Sequence, residues 1–152
     1  MKMIYLAYGS NLNKDQMKMR CPDAIEVGKF FLPDWRLVFR GVADIEKADG
    51  FQVPVGAWEI TNKCEKALDR YEGFPVLYRK KYFKSGDKRY MAYVMNRNGY
   101  ARPPQMYYEA IKQGFEDFSL PMEYLTEALK HSLNNHGSNG HTPKRYKDAE
   151  LI

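Results

Sequence analysis

The sequence predicts an α+β fold, a curved antiparallel or mixed sheet with helices packed around it. Three observations lead there. Stretches rich in β-branched and aromatic residues crowd the first two-thirds of the chain, and helical apolar periodicity dominates the last third. That segregation differs from the regular strand–helix alternation of a βαβ protein. The chain has 152 residues, 44% hydrophobic and 28% charged, which suits one domain with one buried core.

The first strand is expected over residues 3–8, where "MIYLAY" is apolar throughout. Gly9-Ser10-Asn11-Leu12-Asn13 ends it, and a short helix follows over Lys14 to Arg20. "AIEVGKFFL" and "DWRLVFR" read as two strands with Pro33-Asp34 as the turn between them. "VADIEKADGFQ" is polar, carries Asp-Gly, and reads as an exposed loop, and "PVGAWEI" as the next strand. Residues 62–71 form a helix with Asn62 as its cap and Glu65 answering three residues later. "LYRKKYFKS" and "KRYMAYVMN", joined by Gly86-Asp87, are the clearest hairpin. "PPQMYYEAIKQGFEDF" begins with prolines, which a first helical turn tolerates, and places Tyr107, Ile111 and Phe115 on one face. "PMEYLTEALKHSL" does the same with Leu125, Leu129 and Leu133. From His136 the chain is rich in Gly, Ser, Asn and Lys. The expected division is therefore a domain over 1–135 and a loosely ordered tail over 136–152.

Composition narrows the function. No window is apolar enough to cross a bilayer, and Gly9, Ser10 and Asn11 break the first apolar run too early for a signal peptide. Cys21 and Cys64 form no CxxC motif and no disulfide framework, which fits a reducing cytoplasm. With three His, a dedicated zinc site is not expected. The net charge of +5 permits an anionic partner without demanding one. Its basic residues gather in "YRKKYFKSGDKRY" and "TPKRYKD". In the first of these they alternate with aromatics as on a solvated sheet face, and no nucleic-acid recognition signature accompanies them.

Two short stretches carry chemistry. Gly9 to Asn13 is ordinary connector material, since Gly turns a chain and Asn and Ser cap helices. Successive N–H groups in such a turn also make an anion-binding nest, with a helix start behind it. The stretch lacks the further glycines of a dinucleotide fingerprint and the lysine of a P-loop, so a small carboxylate fits better than a polyphosphate. In "ALDRYEGFPVLY", Gly73 stops the helix and Glu72 falls in its last turn. The helix dipole penalises an anion there, and burial beside Tyr71 and Phe74 would raise its pKa, as general-base work requires. The bland alternative is a surface carboxylate facing water or pairing with Arg70 or Arg79.

Together, "AYGSNL" and "LDRYEG" resemble the paired signatures of the γ-glutamylcyclotransferase family. "MRCPDA", "LPDWRLVF", "VPVGAWEIT" and "PPQMYYEAIKQGF…LPMEYLTEAL" extend the similarity, in matching order, over roughly the first 130 residues. The resemblance implies a small mixed, largely antiparallel β-barrel with flanking helices and a cavity at its mouth. It implies that Tyr8, Gly9, Ser10, Asn11 and Leu12 hold the γ-glutamyl end of a substrate and that Glu72 is the catalytic general base. Pocket aromatics map onto Tyr78, Tyr93 and Tyr107, with Met106 and Tyr108 as alternatives for the third, because "PPQMYY" carries one extra residue.

The reaction implied is cyclisation of a γ-glutamyl amide to 5-oxoproline with release of an amino acid or amine, in the cytoplasm, with no metal and no other cofactor. The implied partner is the small substrate, with neither membrane nor nucleic acid, and a homodimer is compatible with the sequence. Two other readings use the same residues: an enzyme acting on γ-glutamylamines or on γ-glutamyl protecting groups, and a non-catalytic module binding a small molecule or nucleic acid.

Overall fold

The computed structural model describes residues 3–137 and 141–152. Five strands form one sheet in the order β2-β3-β1-β5-β4. The central strand β1 (Met3–Ala7) is antiparallel to β3 (Val42–Ile60), with Met3 opposite Ile60 and Ala7 opposite Gly56. On its other side it is parallel to β5 (Lys88–Met95), with Tyr5 opposite Met91. A strand flanked on both sides and covered on both faces needs to be apolar throughout, and Ile4, Tyr5, Leu6 and Ala7 are all buried. The hairpin of β4 (Tyr78–Ser85) and β5 turns at Gly86-Asp87 as expected, with Gly86 left-handed at φ 64°.

Four helices pack around the sheet: α1 (Lys14–Arg20), α2 (Asn62–Glu72), α3 (Gln105–Asp117) and α4 (Met122–Asn134). This is the α+β arrangement expected, but the sheet is not closed into a barrel. Strands β2 (Ile25–Arg40) and β4 are its two edges. Across the opening, the Trp35 ring of β2 lies 6.2 Å from the Phe83 ring of β4, and the Phe30 ring of β2 lies 6.1 Å from the Tyr90 ring of β5. Among the described residues no helix is long and apolar enough to cross a membrane.

Several local expectations are corrected. Pro33-Asp34 is a bulge inside one long strand, not a turn between two. Pro33 sits on an edge strand, where its missing N–H breaks no ladder, and Asp34 at φ 64° accepts a hydrogen bond from Gly50 N at 3.1 Å. The reversal comes at Gly41 (φ 88°), between Arg40 and Val42, which face one another. A Cβ on Gly41 would also collide with the carbonyl oxygen of His141. "VADIEKADGFQ" is the first half of β3 rather than a loop. Its polar side chains mark an exposed strand face, and Val42 to Ile45 are buried. The cap of α2 is Thr61, whose Oγ accepts from Cys64 N at 3.1 Å, one residue before Asn62. In α4 the buried line runs through Leu125, Ala128 and Ser132, with Leu129 and Leu133 half-buried beside it. Ser132 is satisfied there, its Oγ accepting from Phe39 N at 2.8 Å.

Cys21 and Cys64 are joined in a disulfide, so the reading of two unpaired thiols is overturned, and the argument for a reducing compartment falls with it. The pair lies 43 residues apart in sequence, and only the contact of α1 with α2 brings the two together. The described part of the tail, expected to be loose, lies along the body. His141 N donates to Arg40 O at 2.7 Å, Gln105 N to Glu150 O at 2.7 Å, and Ile152 N to Pro103 O at 3.0 Å. A 3-10 turn over Lys144–Tyr146 buries Tyr146 against Tyr107 with ring centroids 5.5 Å apart.

The core meets the N-terminal loop at Gly114 in α3. A Cβ there would come within 2.5 Å of Leu12 Cβ and 2.7 Å of Asn13 N. In an open helix Gly→Ala stabilises by about 1 kcal/mol, whereas overpacking costs about 1–3 kcal/mol. Gly114→Ala is therefore expected to lower the urea midpoint. A raised midpoint would show that the loop yields freely.

Candidate active site

Strand β1 runs straight into the loop, and the residues after it are built into the core. Ser10–Leu12 form a 3-10 turn closed by Leu12 N donating to Gly9 O and Asn13 N to Ser10 O, both at 3.0 Å. Asn13 caps α1, its Oδ1 accepting from Gln16 N at 3.1 Å, while its Nδ2 donates to Ala110 O in α3 at 3.2 Å. Asn11 is held from three sides. Its Nδ2 donates to Tyr5 OH at 3.0 Å, its Oδ1 accepts from Arg20 at 2.7 Å, and its carbonyl accepts from Trp58 Nε1 at 3.2 Å. Ser10 Oγ lies 2.8 Å from Tyr71 OH.

Glu72 is the last residue of α2, and Gly73 stops the helix in the left-handed conformation, its N–H bonded back to Asp69 O and Arg70 O. The Glu72 side chain lines a cavity together with Tyr5, Tyr8, Gly9, Ser10 and Asn11 on one side and Ala43, Tyr78, Tyr93 and Tyr107 on the other. The cavity measures about 20 Å³, the room of a single water-sized group. Burial pushes the Glu72 carboxyl up to about 7, against the opposing pull of Arg145 and Arg20; Asp44 adds a smaller push upward. Among the described residues no side chain ion-pairs with or hydrogen-bonds to this carboxylate. Arg79, one alternative partner, is turned to Met95 O and Asn96 Oδ1 instead.

The tyrosines form an oriented wall. Tyr78 OH donates to Ala43 O at 2.7 Å, and Tyr107 OH accepts from Ala43 N at 2.9 Å. Tyr8 OH donates to Tyr93 O at 2.6 Å, and Tyr93 OH donates to Asp69 Oδ1 at 2.6 Å. Asp69 is in turn held by Lys80, 3.0 Å away, which also reaches Glu65 at 2.7 Å. Behind Ala43, Asp44 accepts from Met95 N at 2.9 Å and from Arg40 Nε at 2.7 Å. Burial holds the phenols of Tyr5, Tyr8, Tyr78, Tyr93 and Tyr107 well above their ordinary pKa, so all five stay neutral. The one carboxylate in the lining is Glu72.

Of the residues singled out from the sequence, Tyr8, Gly9, Ser10, Asn11, Glu72, Tyr78, Tyr93 and Tyr107 share this cavity. Leu12 does not line it. It is fully buried, lying where a Cβ on Gly56 or Gly114 would strike it. Met106 is exposed and Tyr108 stacks near Phe39 at 5.7 Å, which leaves Tyr107 as the ring inside. Tyr5 and Ala43 are additions. Tyr5 reads from sequence as one more core aromatic, and Ala43 sits in the stretch that reads as a loop. Arg20 and Tyr71 adjoin the lining through Asn11 and Ser10, and Arg145 lies over the Tyr71 ring. Among the described residues no three His, Cys, Asp or Glu side chains gather to hold a metal ion.

The model of the gamma-glutamyl cyclotransferase, AIG2-like family matches residues 5–114, a stretch containing both the loop and Glu72. The chain is 28% identical over 145 residues to gamma-glutamylcyclotransferase of Mus musculus, covering 84% of this chain and 77% of that protein. The Homo sapiens gamma-glutamylcyclotransferase matches with the same identity and coverage. Among solved structures, one described as a gamma-glutamyl cyclotransferase shares the fold with a TM-score of 0.75, at 24% identity over 97% of both chains. An uncharacterized protein from Homo sapiens superposes with a TM-score of 0.74 at 25% identity, over 97% of this chain and 96% of that one.

Proposed function

The chain belongs to the gamma-glutamyl cyclotransferase, AIG2-like family and is an enzyme of that type, and from this premise we propose that it cyclises γ-glutamyl amides to 5-oxoproline with Glu72 as general base. The observation that carries the reading is the half-buried carboxylate of Glu72, without an ion-pair or hydrogen-bond partner among the described residues, in one cavity with Gly9, Ser10 and Asn11.

In the proposed reaction Glu72 takes a proton from the substrate's α-ammonium, whose pKa is about 8 or above, and a carboxylate made more basic by burial narrows the gap between them. The freed amine attacks the γ-carbonyl carbon of the same molecule, forming a five-membered ring. As the original C–N bond breaks, Glu72 returns its proton to the departing nitrogen. The second proton shed as the ammonium becomes a lactam N–H follows the same route, so the amine leaves protonated and Glu72 ends as a carboxylate. Because nucleophile and electrophile share one molecule, the enzyme's main task is to fold the substrate into its ring-closing shape. Backbone N–H groups of Gly9 to Asn11 would hold the substrate's α-carboxylate or the developing oxyanion. A γ-glutamyl group exceeds the cavity's about 20 Å³, so the tyrosine wall and the segment abutting it must give on binding.

The test is release of 5-oxoproline from a panel of γ-glutamyl amino acids, γ-glutamylamines and ε-(γ-glutamyl)-lysine incubated with purified protein. Cyclisation of at least one class is expected. Tight binding of all with turnover of none would reduce the protein to a binding module.

A further inference from the structure

We infer that Arg145 is a specificity-determining residue, selecting substrates whose leaving group carries a free carboxylate, an α-amino acid rather than a simple or cationic amine. The inference rests on the cyclisation reading and deepens it. Arg145 lies outside the stretch matched by the family model, which ends at residue 114.

Its position is fixed by the docked tail. Tyr146, next in sequence, is buried against Tyr107 in the cavity wall, and Tyr146 N donates to Pro143 O at 2.9 Å. The Arg145 guanidinium lies 4.3 Å from the centroid of the Tyr71 ring and 5.2 Å from that of Tyr146. Tyr71 is the residue before Glu72, and its hydroxyl meets Ser10 of the loop at 2.8 Å. Arg145 is thus stacked on Tyr71, next to both halves of the site, and is itself exposed.

Two cations act on Glu72, Arg145 and Arg20, and their roles differ. Arg20 donates to Asn11 Oδ1 at 2.7 Å and to Gln16 Oε1 at 3.0 Å, and so positions the loop. Arg145 has no ion pair within 4.0 Å among the described residues, whereas Arg36, Arg40 and Lys80 all do. A guanidinium offers five N–H donors in a planar fork suited to a carboxylate, more than two phenols can engage.

Which carboxylate it meets follows from burial. Ser10 and Asn11, proposed to hold the γ-glutamyl head, are buried, so the head goes inward and the leaving group faces the rim. Glu72 must reach the leaving nitrogen to protonate it. In an α-amino acid the carboxylate is one carbon from that nitrogen, the group the Arg145 guanidinium would engage. A polyamine or a lysine side chain would instead bring a second cation toward Arg145 and Arg20.

The experiment compares γ-glutamyl-alanine with γ-glutamyl-alaninamide, which differ in that carboxylate alone, at pH 8.5, where Glu72 is ionised in every protein compared. Wild-type protein should favour the acid, and Arg145→Gln should lose about 10–100-fold in kcat/KM on it, mostly through KM. On the amide the same variant should change less than about threefold, and Arg145→Lys should recover part of the loss on the acid. Equal wild-type rates on the two substrates, or an equal fall on both in the variant, overturn the assignment while leaving the cyclisation reading standing. A wild-type protein that cyclises neither overturns the assignment, and the cyclisation reading falls with it only when the γ-glutamylamines and ε-(γ-glutamyl)-lysine are left uncyclised as well.

Discussion

Glu72→Gln is expected to lower 5-oxoproline release by about 10²–10⁴-fold, the contribution of a positioned general base. The amide keeps the size of the side chain and removes its basicity, so binding should be largely preserved and kcat should carry the loss. A fall of less than tenfold would remove Glu72 from the chemistry. In the wild-type protein the rate should rise with pH through about 7, as the Glu72 carboxyl ionises. The same substitution should act on stability with the opposite sign. Burial raises this carboxyl from 4.5 to about 7, so between those values the folded protein binds more protons than the unfolded chain. Stability is therefore lost as pH rises through that window, to a total of about 3 kcal/mol once both states are ionised. Gln carries no charge to desolvate. Glu72→Gln should thus be more stable than wild type at pH 8 and lose that advantage at pH 4, as urea midpoints would show. Equal midpoints at pH 8 would mean that the carboxylate is well solvated.

Opening the Cys21–Cys64 bridge is the second change with a large expected effect. Closing a loop of 43 residues removes unfolded-state entropy equivalent to about 4 kcal/mol, and measured disulfides typically contribute about 2–4 kcal/mol. Reductant, or replacement of both cysteines by Ala, should lower the urea midpoint accordingly. Activity should fall as well, since α1 follows the loop and α2 ends at Glu72. A midpoint indifferent to reductant would show that the thiols remain unpaired in solution. Marginal folded proteins have about 5–15 kcal/mol to spare, so this one bond is a sizeable share of the total.

The two chemical stretches could be read in advance because each has a local cause. Gly73 stops a helix wherever it stands, and that alone places Glu72 at a helix end. Periodicity likewise reveals α3, with Tyr107, Ile111 and Phe115 all buried. What could not be read depends on neighbours distant in sequence. Asp34 looks like a turn residue until Gly50, 16 positions away, supplies its partner in a bulge. The polar run from Val42 looks like a loop because exposure and irregularity have the same composition. Ala43, hidden there, has both backbone groups engaged by tyrosines 35 and 64 residues away. The bridge of Cys21 to Cys64 and the seat of Arg145 beside Tyr71 are likewise products of tertiary contact, with no local pattern to announce them.

The place of β1 at the centre of the sheet bears on how the chain is made. Met3–Ala7 is synthesised before either of its partners, Gly56 to Ile60 on one side and Arg89 to Met91 on the other. The strand must therefore wait unpaired until Gly56 to Ile60 have been made, and it gains its second neighbour only with Arg89 to Met91. During that interval its apolar side chains and unpaired edges are open to mispairing.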